Sequence, residues 1–301
     1  MIHGLSSGLP KARVLWGHFG QQRASNAIAR SYASLPEDLR SAFGFCVQQV
    51  RQYDYLNYVW VAQMPKDLRP SLFALRAFNI ETALVADSVR SKESVVGQIR
   101  FQWWRDAVKA AFENRPPNHP VAFGGAAGNS PSRFSRYCFK RIIDCREADF
   151  LDPQPPLDLQ ALEQYAEGTS SQLMYLQLAA AGVKHQDADH AASHLGRAAG
   201  ITTLLRGTAA HAAARRCYLP VDLCAEARVS QEDVYSGVVS EGLRDVVHKV
   251  ASLAKGHLDE ARRLAPRLPP GAAGVMLPAV AVGRYLEGLE AVNFNPYETK
   301  L

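Results

Sequence analysis

Residues 195–224 read LGRAAGITTLLRGTAAHAAARRCYLPVDLC, and this stretch decides the fold. It begins as a helix whose first face carries residues three and four positions apart, namely Leu195, Ala198, Thr202, Leu205 and Ala209. A second face with similar spacing carries only small residues, namely Gly200, Thr203, Gly207, Ala210 and Ala214. We expect the helix to lose regularity by residues 215–217. It should end at residues 218–220, because Pro220 cannot continue the hydrogen-bond ladder.

The same stretch resembles the second signature of the squalene/phytoene synthase family, approximately L-T-N-I-L-R-D-x-x-E-D-A-R-x-G-R-x-Y-L-P. Aligned without gaps, the positions that match in kind and spacing are Thr202, Leu204, Leu205, Arg206, Ala212, Arg216, Tyr218, Leu219 and Pro220. The acidic positions of the signature do not match. Gly207 and His211 stand where the family has its two Asp residues. Ala210 replaces the Glu, and Thr203 replaces the Asn.

Residues 68–85, LRPSLFALRAFNIETALV, resemble the first acidic motif of the family, L-Y-A-x-x-R-x-x-D-D-x-x-D. Chelation of a metal from one helix needs carboxylates three or four residues apart. Glu81 is the only acid near that register, and Asp87 lies about 240° further round the helix. The run FNIE at 78–81 is similar to a diverged branch in which F-N-x-E replaces the synthase signature. Glu81 then either lines the cavity as a partner of an arginine or is an ordinary half-buried acid.

Helical spacing recurs along the chain, and we expect helices over residues 68–85, 95–113, 133–150, 157–182, 243–264 and 274–292. Asp67 is expected to cap the first of these, and Ser230 with Asp233 to form a capping box. Three further blocks resemble the family: QIRFQWWRDAV at 98–108, YAEGTSS at 165–171, and the terminal Leu277, Pro278, Tyr285 and Leu286. The resemblance covers about residues 40–295. It implies one all-α domain of the isoprenoid-synthase type, a helical bundle around a central cavity.

The first 36 residues contain basic side chains and serines but no Asp or Glu, and the first acid is Glu37. This composition is typical of a mitochondrial transit peptide, and cleavage is expected near residues 32–34. The alternative is a disordered basic tail. We therefore predict a leader over residues 1–36 and a helical domain over 37–301. Residues 116–131, rich in Gly and Pro, are expected to form an internal loop.

The charge and the cysteine content argue against a nucleic-acid partner and against disulfide bonds. The formal net charge is +5, but residues 1–36 hold 4 of the 34 basic residues, which leaves 30 against 29 acids. The remainder is almost neutral, so no nucleic-acid partner is expected. The 5 cysteines form no C-x-x-C pair and are expected to be reduced thiols, as suits a matrix protein. No run approaches the roughly eighteen apolar residues of a membrane span.

The family resemblance implies a chemical requirement that this chain does not meet. Active members ionise a prenyl diphosphate with Mg²⁺ held between two acidic motifs, and Mg²⁺ needs several oxygen ligands. This chain offers at most one carboxylate in the first motif and none in the second. We therefore expect a non-catalytic member with no catalytic residue, no metal and no cofactor. The residues expected to line its vestigial cavity are Arg76, Glu81, Thr203, Arg206, Gly207, His211, Arg216 and Tyr218.

The F-N-x-E branch resembles family members that act in the assembly of mitochondrial respiratory complex I. That resemblance implies complex I subunits or assembly intermediates as partners. It also implies a matrix location with peripheral contact to the inner membrane. Two alternatives stay open: an active head-to-head prenyltransferase with an unusual metal site, and a module that binds a lipid or prenyl ligand. With the motif acids gone, Arg206 and Arg216 are expected to make the cavity electropositive. They should pair with Glu81 or backbone carbonyls, meet water, or hold an anionic head group.

Overall fold

A computed structural model describes residues 37–88, 94–122 and 133–298, and all regular structure in those ranges is helical. The all-α prediction is therefore confirmed. In chain order, the α-helices are numbered α1 Glu37–Tyr53, α2 Tyr55–Gln63, α3 Arg69–Ala83, α4 Val85–Ser88, α5 Ser94–Phe112, α6 Arg136–Leu151, α7 Leu159–Ala166, α8 Gln172–Ala180, α9 Gln186–Arg206, α10 Thr208–Ala213, α11 Val221–Glu226, α12 Gln231–Tyr235, α13 Glu241–Leu264, α14 Pro270–Ala273 and α15 Pro278–Ala291.

Helix α9 is the central element, because it packs along α13 and also touches α7, α8 and α15. Its buried residues are mostly small, and the face includes Ala188, Ala191, Ala192, Gly196, Ala198 and Gly200. At Gly196 the approach is closest, since an added Cβ would lie 2.3 Å from the Cα of Ser171. Small side chains allow helices to approach in this way, and the core closes around α9.

The predicted helix over residues 157–182 is interrupted. Asp158 caps α7 by accepting from the backbone N–H of Ala161, and a π-helical segment, Glu167–Ser171, then separates α7 from α8. The π-helical segment lies where the chain packs closely against two neighbouring elements. An added Cβ at Gly168 would lie 2.3 Å from the Sγ of Cys145, and Ser171 lies against α9. A π-bulge of this kind accommodates one extra residue within a helix, often at a functional site.

Several element boundaries differ from the predictions. Helix α3 begins at Arg69, with Leu68 rather than Asp67 at the N-cap. The helix of the opening stretch ends at Arg206, and after Gly207 the short α10 stops at Ala213, before the proline. The last predicted helix, 274–292, begins later than predicted, because residues 274–277 form a turn and α15 starts at Pro278. The capping box of Ser230 and Asp233 is confirmed.

None of the helices in the described ranges has the length and apolar character needed to cross a membrane. All 5 cysteines are free thiols, as predicted. The predicted leader and its cleavage site lie outside the described residues, as do residues 123–131 of the predicted internal loop.

Candidate functional site

A large cavity opens at the carboxyl-terminal half of α9 and has a volume of about 820 Å³. Two other pockets measure about 10 and 70 Å³. The walls of the large cavity come from α1 to α10, including the π segment, and from α15. Cavities of this volume accommodate a ligand the size of a lipid chain or cofactor, so this is the candidate site.

The structure brings together six of the eight residues singled out from the sequence, namely Arg76, Thr203, Arg206, His211, Arg216 and Tyr218. Gly207 and Glu81 are not among the residues that line the cavity. The Glu81 carboxyl is half-buried near Cys46 of α1, and burial raises its pKa. Burial, and to a lesser extent the negative charge of Glu81, raises the pKa of the Cys46 thiol to about 12. Of the two interpretations of Glu81, this position agrees with the half-buried acid.

Arg216 is held by Asp149, at the end of α6. The Nη2 atom of Arg216 lies 2.7 Å from Asp149 Oδ1 and donates to the Asp149 carbonyl oxygen at 3.2 Å. Tyr218 donates its hydroxyl to Asp149 Oδ2 at 2.8 Å. Burial opposes the charge on Arg216, but Asp149, Tyr218 and Tyr165 together outweigh it, and the pKa of Arg216 is raised. Both oxygens of Asp149 are therefore occupied by partners within the protein.

Arg76 enters the cavity from α3 and is almost completely buried. Its Nη1 atom lies 3.6 Å from Asp54 Oδ2, and its guanidinium lies 5.2 Å from the centre of the Trp60 ring. With its carboxamide oxygen facing the guanidinium, Gln177 accepts from Arg76 Nε at 2.8 Å. Burial lowers the pKa of Arg76, and Asp54 partly offsets that effect. Asn57 also donates to Asp54, at 2.8 Å.

Arg146 of α6 is a cavity residue that the sequence did not single out. It donates to the side-chain oxygen of Asn79 at 2.7 Å, and also to the Asn79 carbonyl oxygen and the Thr82 hydroxyl. Burial lowers its pKa. Counted from Arg76 in the motif R-x-x-D, Asn79 stands at the first acidic position. The spacing from Arg76 could therefore have identified Asn79, rather than Glu81, as the residue at the motif position.

Arg206 at the end of α9 and His211 on α10 also line the cavity. Arg206 is exposed, and no carboxylate of the described chain forms an ion pair with it. The His211 ring packs edge-on against Tyr218, with ring centres 4.7 Å apart. Burial, followed by the nearby charge of Arg216, lowers the pKa of His211. An imidazole and a guanidinium on the same cavity wall are poor ligands for Mg²⁺, which prefers oxygen.

The cavity is lined by more arginines than acidic residues. Four arginines line it, against three acids, Asp54, Asp87 and Asp149. Two of the acids are paired with arginine. Within residues 37–88, 94–122 and 133–298, one set of three side chains lies close enough together to bind a metal ion, and it consists of His190, His194 and Glu260. Those three residues are not cavity residues.

The comparisons with known proteins agree with this architecture. The family model described as squalene/phytoene synthase matches residues 50–301, and the chain belongs to that family. It is 40% identical over 277 residues to the Rattus norvegicus protein named NADH dehydrogenase (ubiquinone) complex I, assembly factor 6, covering 92% of this chain and 82% of that one. It is 37% identical over 257 residues to the Homo sapiens protein of the same name, covering 85% of this chain and 76% of that one.

Among solved structures, the chain is similar to squalene synthase HpnC from Alicyclobacillus acidocaldarius, with a TM-score of 0.76 over 89% of this chain and 100% of that one. The sequence identity is 18%, so the similarity concerns the fold. The predicted isoprenoid-synthase fold is confirmed.

Proposed function

We propose that this protein acts in the assembly of respiratory complex I and does not catalyse prenyl transfer. The observation that carries the proposal is the similarity to proteins named complex I assembly factor 6, which extends over most of both chains. The chain shares its fold with prenyl-transferring enzymes, but fold alone does not determine activity.

The chemistry of the cavity supports the non-catalytic half of the proposal. Mg²⁺ bound to a diphosphate requires several oxygen ligands that have no other partner. Asp54 and Asp149 each face an arginine in the cavity. On α3, Asn79 stands at the motif position and accepts from Arg146. The second motif supplies Gly207 and His211 where the family has acids. In the part of the chain that the structure describes, the carboxylates that line the cavity are Asp54, Asp87 and Asp149, and only Asp87 has no arginine partner there. This supports the absence of two facing acidic motifs.

We further propose a matrix location with peripheral contact to the inner membrane. The acid-free leader supports import. The mouth of the cavity supports membrane contact, because it carries exposed apolar side chains, namely Tyr53, Leu56, Val59, Leu277 and Val280. A cluster of this kind is a candidate for contact with a membrane or a protein partner. The partners in the proposal are complex I subunits or assembly intermediates, and nucleic acid is not among them.

Two measurements test the proposed function. In cells lacking this protein, native gels should show reduced complex I, with complexes III and IV near normal, and re-expression of the chain should restore it. The Glu81→Gln variant should also restore it. The purified chain should form no squalene-type or phytoene-type product from prenyl diphosphates with Mg²⁺ or Mn²⁺. Normal complex I without the protein would refute the assembly role, and metal-dependent turnover would refute the non-catalytic assignment.

A second candidate function, binding of a lipid or prenyl ligand with an anionic head group, is favoured by the 820 Å³ cavity and the unpaired Arg206. Because Trp60 lines the cavity, a long-chain isoprenoid phosphate should change tryptophan fluorescence in the unmodified chain and not in Trp60→Phe. Arg206→Gln should weaken binding. The control Arg284→Gln, an exposed arginine paired with Glu287, should not. Equal binding by the two arginine variants would refute a head-group role for Arg206.

A further inference from the structure

Helices α9 and α13 bring three histidines together at the end of α9 remote from the cavity. His190 and His194 are four residues apart on α9 and therefore share one face of that helix. His257 and Glu260 are three residues apart on α13 and face them. His190 and Arg206 are separated by about 24 Å along α9 at 1.5 Å per residue. We call His190, His194 and His257 the histidine cluster.

The ring nitrogens of the histidine cluster form a continuous chain. His190 Nε2 lies 3.1 Å from His194 Nε2, and His194 Nδ1 lies 2.9 Å from His257 Nδ1. The chain ends at Glu163 of α7, whose Oε1 atom lies 3.3 Å from His257 Nε2. Glu163 also accepts from Arg197 at 2.6 Å. The chain thus begins at an exposed histidine and ends at a carboxylate inside the helix packing.

The direction of the protons along this chain follows from its inner end. The Glu163 carboxylate lies 3.3 Å from His257 Nε2, without the geometry of a hydrogen bond. Its negative charge favours a proton on Nε2, so His257 presents a lone pair at Nδ1. His194 must then donate from Nδ1, which leaves its Nε2 unprotonated and directed toward His190. A neutral imidazole with its second nitrogen already donating is the form that binds a metal.

We propose that His190, His194 and Glu260 bind one divalent transition-metal ion of the zinc class. The ligand atoms of these three residues all lie within 4.8 Å of one another. Two nitrogens bound to a tetrahedral Zn²⁺ at about 2.0–2.1 Å are about 3.3–3.4 Å apart. The two Nε2 atoms are 3.1 Å apart, so a bound ion needs only a small outward movement of the exposed His190 ring.

Binding requires a change of tautomer at His190. In the metal-free chain, His190 donates its Nε2 proton toward His194. When the ion binds, His190 carries that proton on Nδ1 instead and offers Nε2 as the second ligand. The tautomers of His194 and His257 stay the same, so the histidines release no net proton. His257 therefore acts as a positioning residue that orients His194, in the way that a carboxylate or carbonyl orients the histidine ligands of known zinc sites.

Glu260 supplies the third ligand and shares its carboxylate with Arg263. Arg263 donates to Glu260 Oε2 at 2.9 Å and to Oε1 at 2.5 Å. That contact fixes the carboxylate, and an ion that takes one oxygen leaves the other to Arg263. Two imidazoles and one carboxylate suit Zn²⁺ and its neighbours in the transition series, whereas Mg²⁺ prefers oxygen ligands. The half-exposed side leaves the fourth position to water.

The test titrates Zn²⁺ alone into the full chain, free of affinity tags and stripped of metal, by calorimetry. We expect one ion per chain and a higher unfolding temperature in the presence of Zn²⁺. His190→Ala and His194→Ala should each weaken binding about 100-fold or more, and His257→Gln and Glu260→Gln roughly 10–100-fold. With Co²⁺ as the probe, visible absorption of tetrahedral intensity should appear in the unmodified chain and be lost in Glu260→Gln.

His248→Ala is the matched control, because His248 is exposed on the same α13 helix and lies beside Phe294. It should leave Zn²⁺ affinity unchanged. His190 is exposed, so His190→Ala should fold normally without metal. Zn²⁺ affinity that is equal in the unmodified chain and His190→Ala overturns the site. Affinity that depends on the two α9 histidines but not on Glu260 or His257 means an adventitious surface pair and also overturns it. Neither result bears on the proposed role in complex I assembly.

Discussion

At the scale of single residues, Asp149 determines the polar wall of the cavity. It accepts from Tyr218 and pairs with Arg216, both of which the family signature identified. The sequence could not identify their partner, because Asp149 is 67 residues away from Arg216. No local pattern marks a contact between α6 and the segment that follows α10. The signature therefore predicted the two donors and left their acceptor to the tertiary structure.

Replacing Asp149 should destabilise the protein more than replacing an exposed acid. In Asp149→Asn, the guanidinium of Arg216 loses its charged partner at a site where the arginine side chain is 20% exposed. Hydrogen bonds to charged groups contribute about 1.5–3 kcal/mol, and we expect a loss of that size in the free energy of unfolding. Urea denaturation followed by circular dichroism measures it.

The control for Asp149→Asn is Asp259→Asn on α13. Asp259 is 51% exposed and pairs with Lys255 one turn away. Exposed pairs of this spacing contribute about 0.3–0.5 kcal/mol, so the control should lose no more than that. Equal losses in the two variants would contradict the structural role assigned to Asp149.

At the scale of helices, periodicity predicted where helices occur more accurately than where they end or bend. The predicted helix over 243–264 is observed as α13, Glu241–Leu264, because a single apolar stripe runs its full length. The π segment was not predicted. Its residues are consistent with an α-helix, and the interruption arises where Gly168 meets Cys145 and Ser171 meets α9. Those contacts belong to the tertiary structure and leave no period in the sequence.

Two glycine-to-alanine variants distinguish the effect of close helix packing on stability from the effect of helix propensity. Alanine at Gly196 would place Cβ 2.3 Å from the Cα and 2.6 Å from the N of Ser171, and backbone cannot move aside as a side chain can. Overpacking of this kind costs about 1–3 kcal/mol, so Gly196→Ala should lower the free energy of unfolding by about that amount.

The reference variant is Gly256→Ala on α13, where an added Cβ meets nothing within 4 Å. It should stabilise the protein by up to about 1 kcal/mol, since alanine favours the helix over glycine. Thermal unfolding of both variants gives the comparison. A stabilising Gly196→Ala would show that α9 does not pack against the π segment as closely as described.

At the scale of the whole molecule, the family resemblance located most of the cavity but not its charge pairing. Six of the eight residues chosen from the sequence line it, yet Asp54, Arg146 and Asn79 came only from the fold. The histidine cluster was also missed. The spacing of His190 and His194 was an available signal, but His257 lies 63 residues further along the chain and enters only when α13 packs on α9.

Stability of the whole molecule should fall as the pH is lowered from 7 to 5. Burial lowers the pKa of both His119 and His211. In the unfolded chain these histidines take up protons near pH 6.5, whereas in the folded chain they remain neutral to lower pH. The unfolded state then binds more protons, so stability rises with pH across this window and is lost as the pH falls.

Denaturant unfolding at intervals between pH 5 and pH 7 measures this slope. The double variant His119→Asn, His211→Asn should show a shallower slope than the unmodified chain, whatever its stability at pH 7. The exposed-site variant His248→Asn is the reference for a change of histidine number alone. A double variant with the slope of the unmodified chain would refute the assignment.

The contact between Gly207 and His211 makes the residue allowed at one position depend on the other. A Cβ at position 207 would lie 2.5 Å from His211 Nε2, and the His211 ring rests on Tyr218. A side chain at 207 therefore requires the His211 ring to shift, and its contact with Tyr218 with it. The two positions are coupled, because a carboxylate at 207 is accommodated only where the residue at 211 moves aside or is smaller.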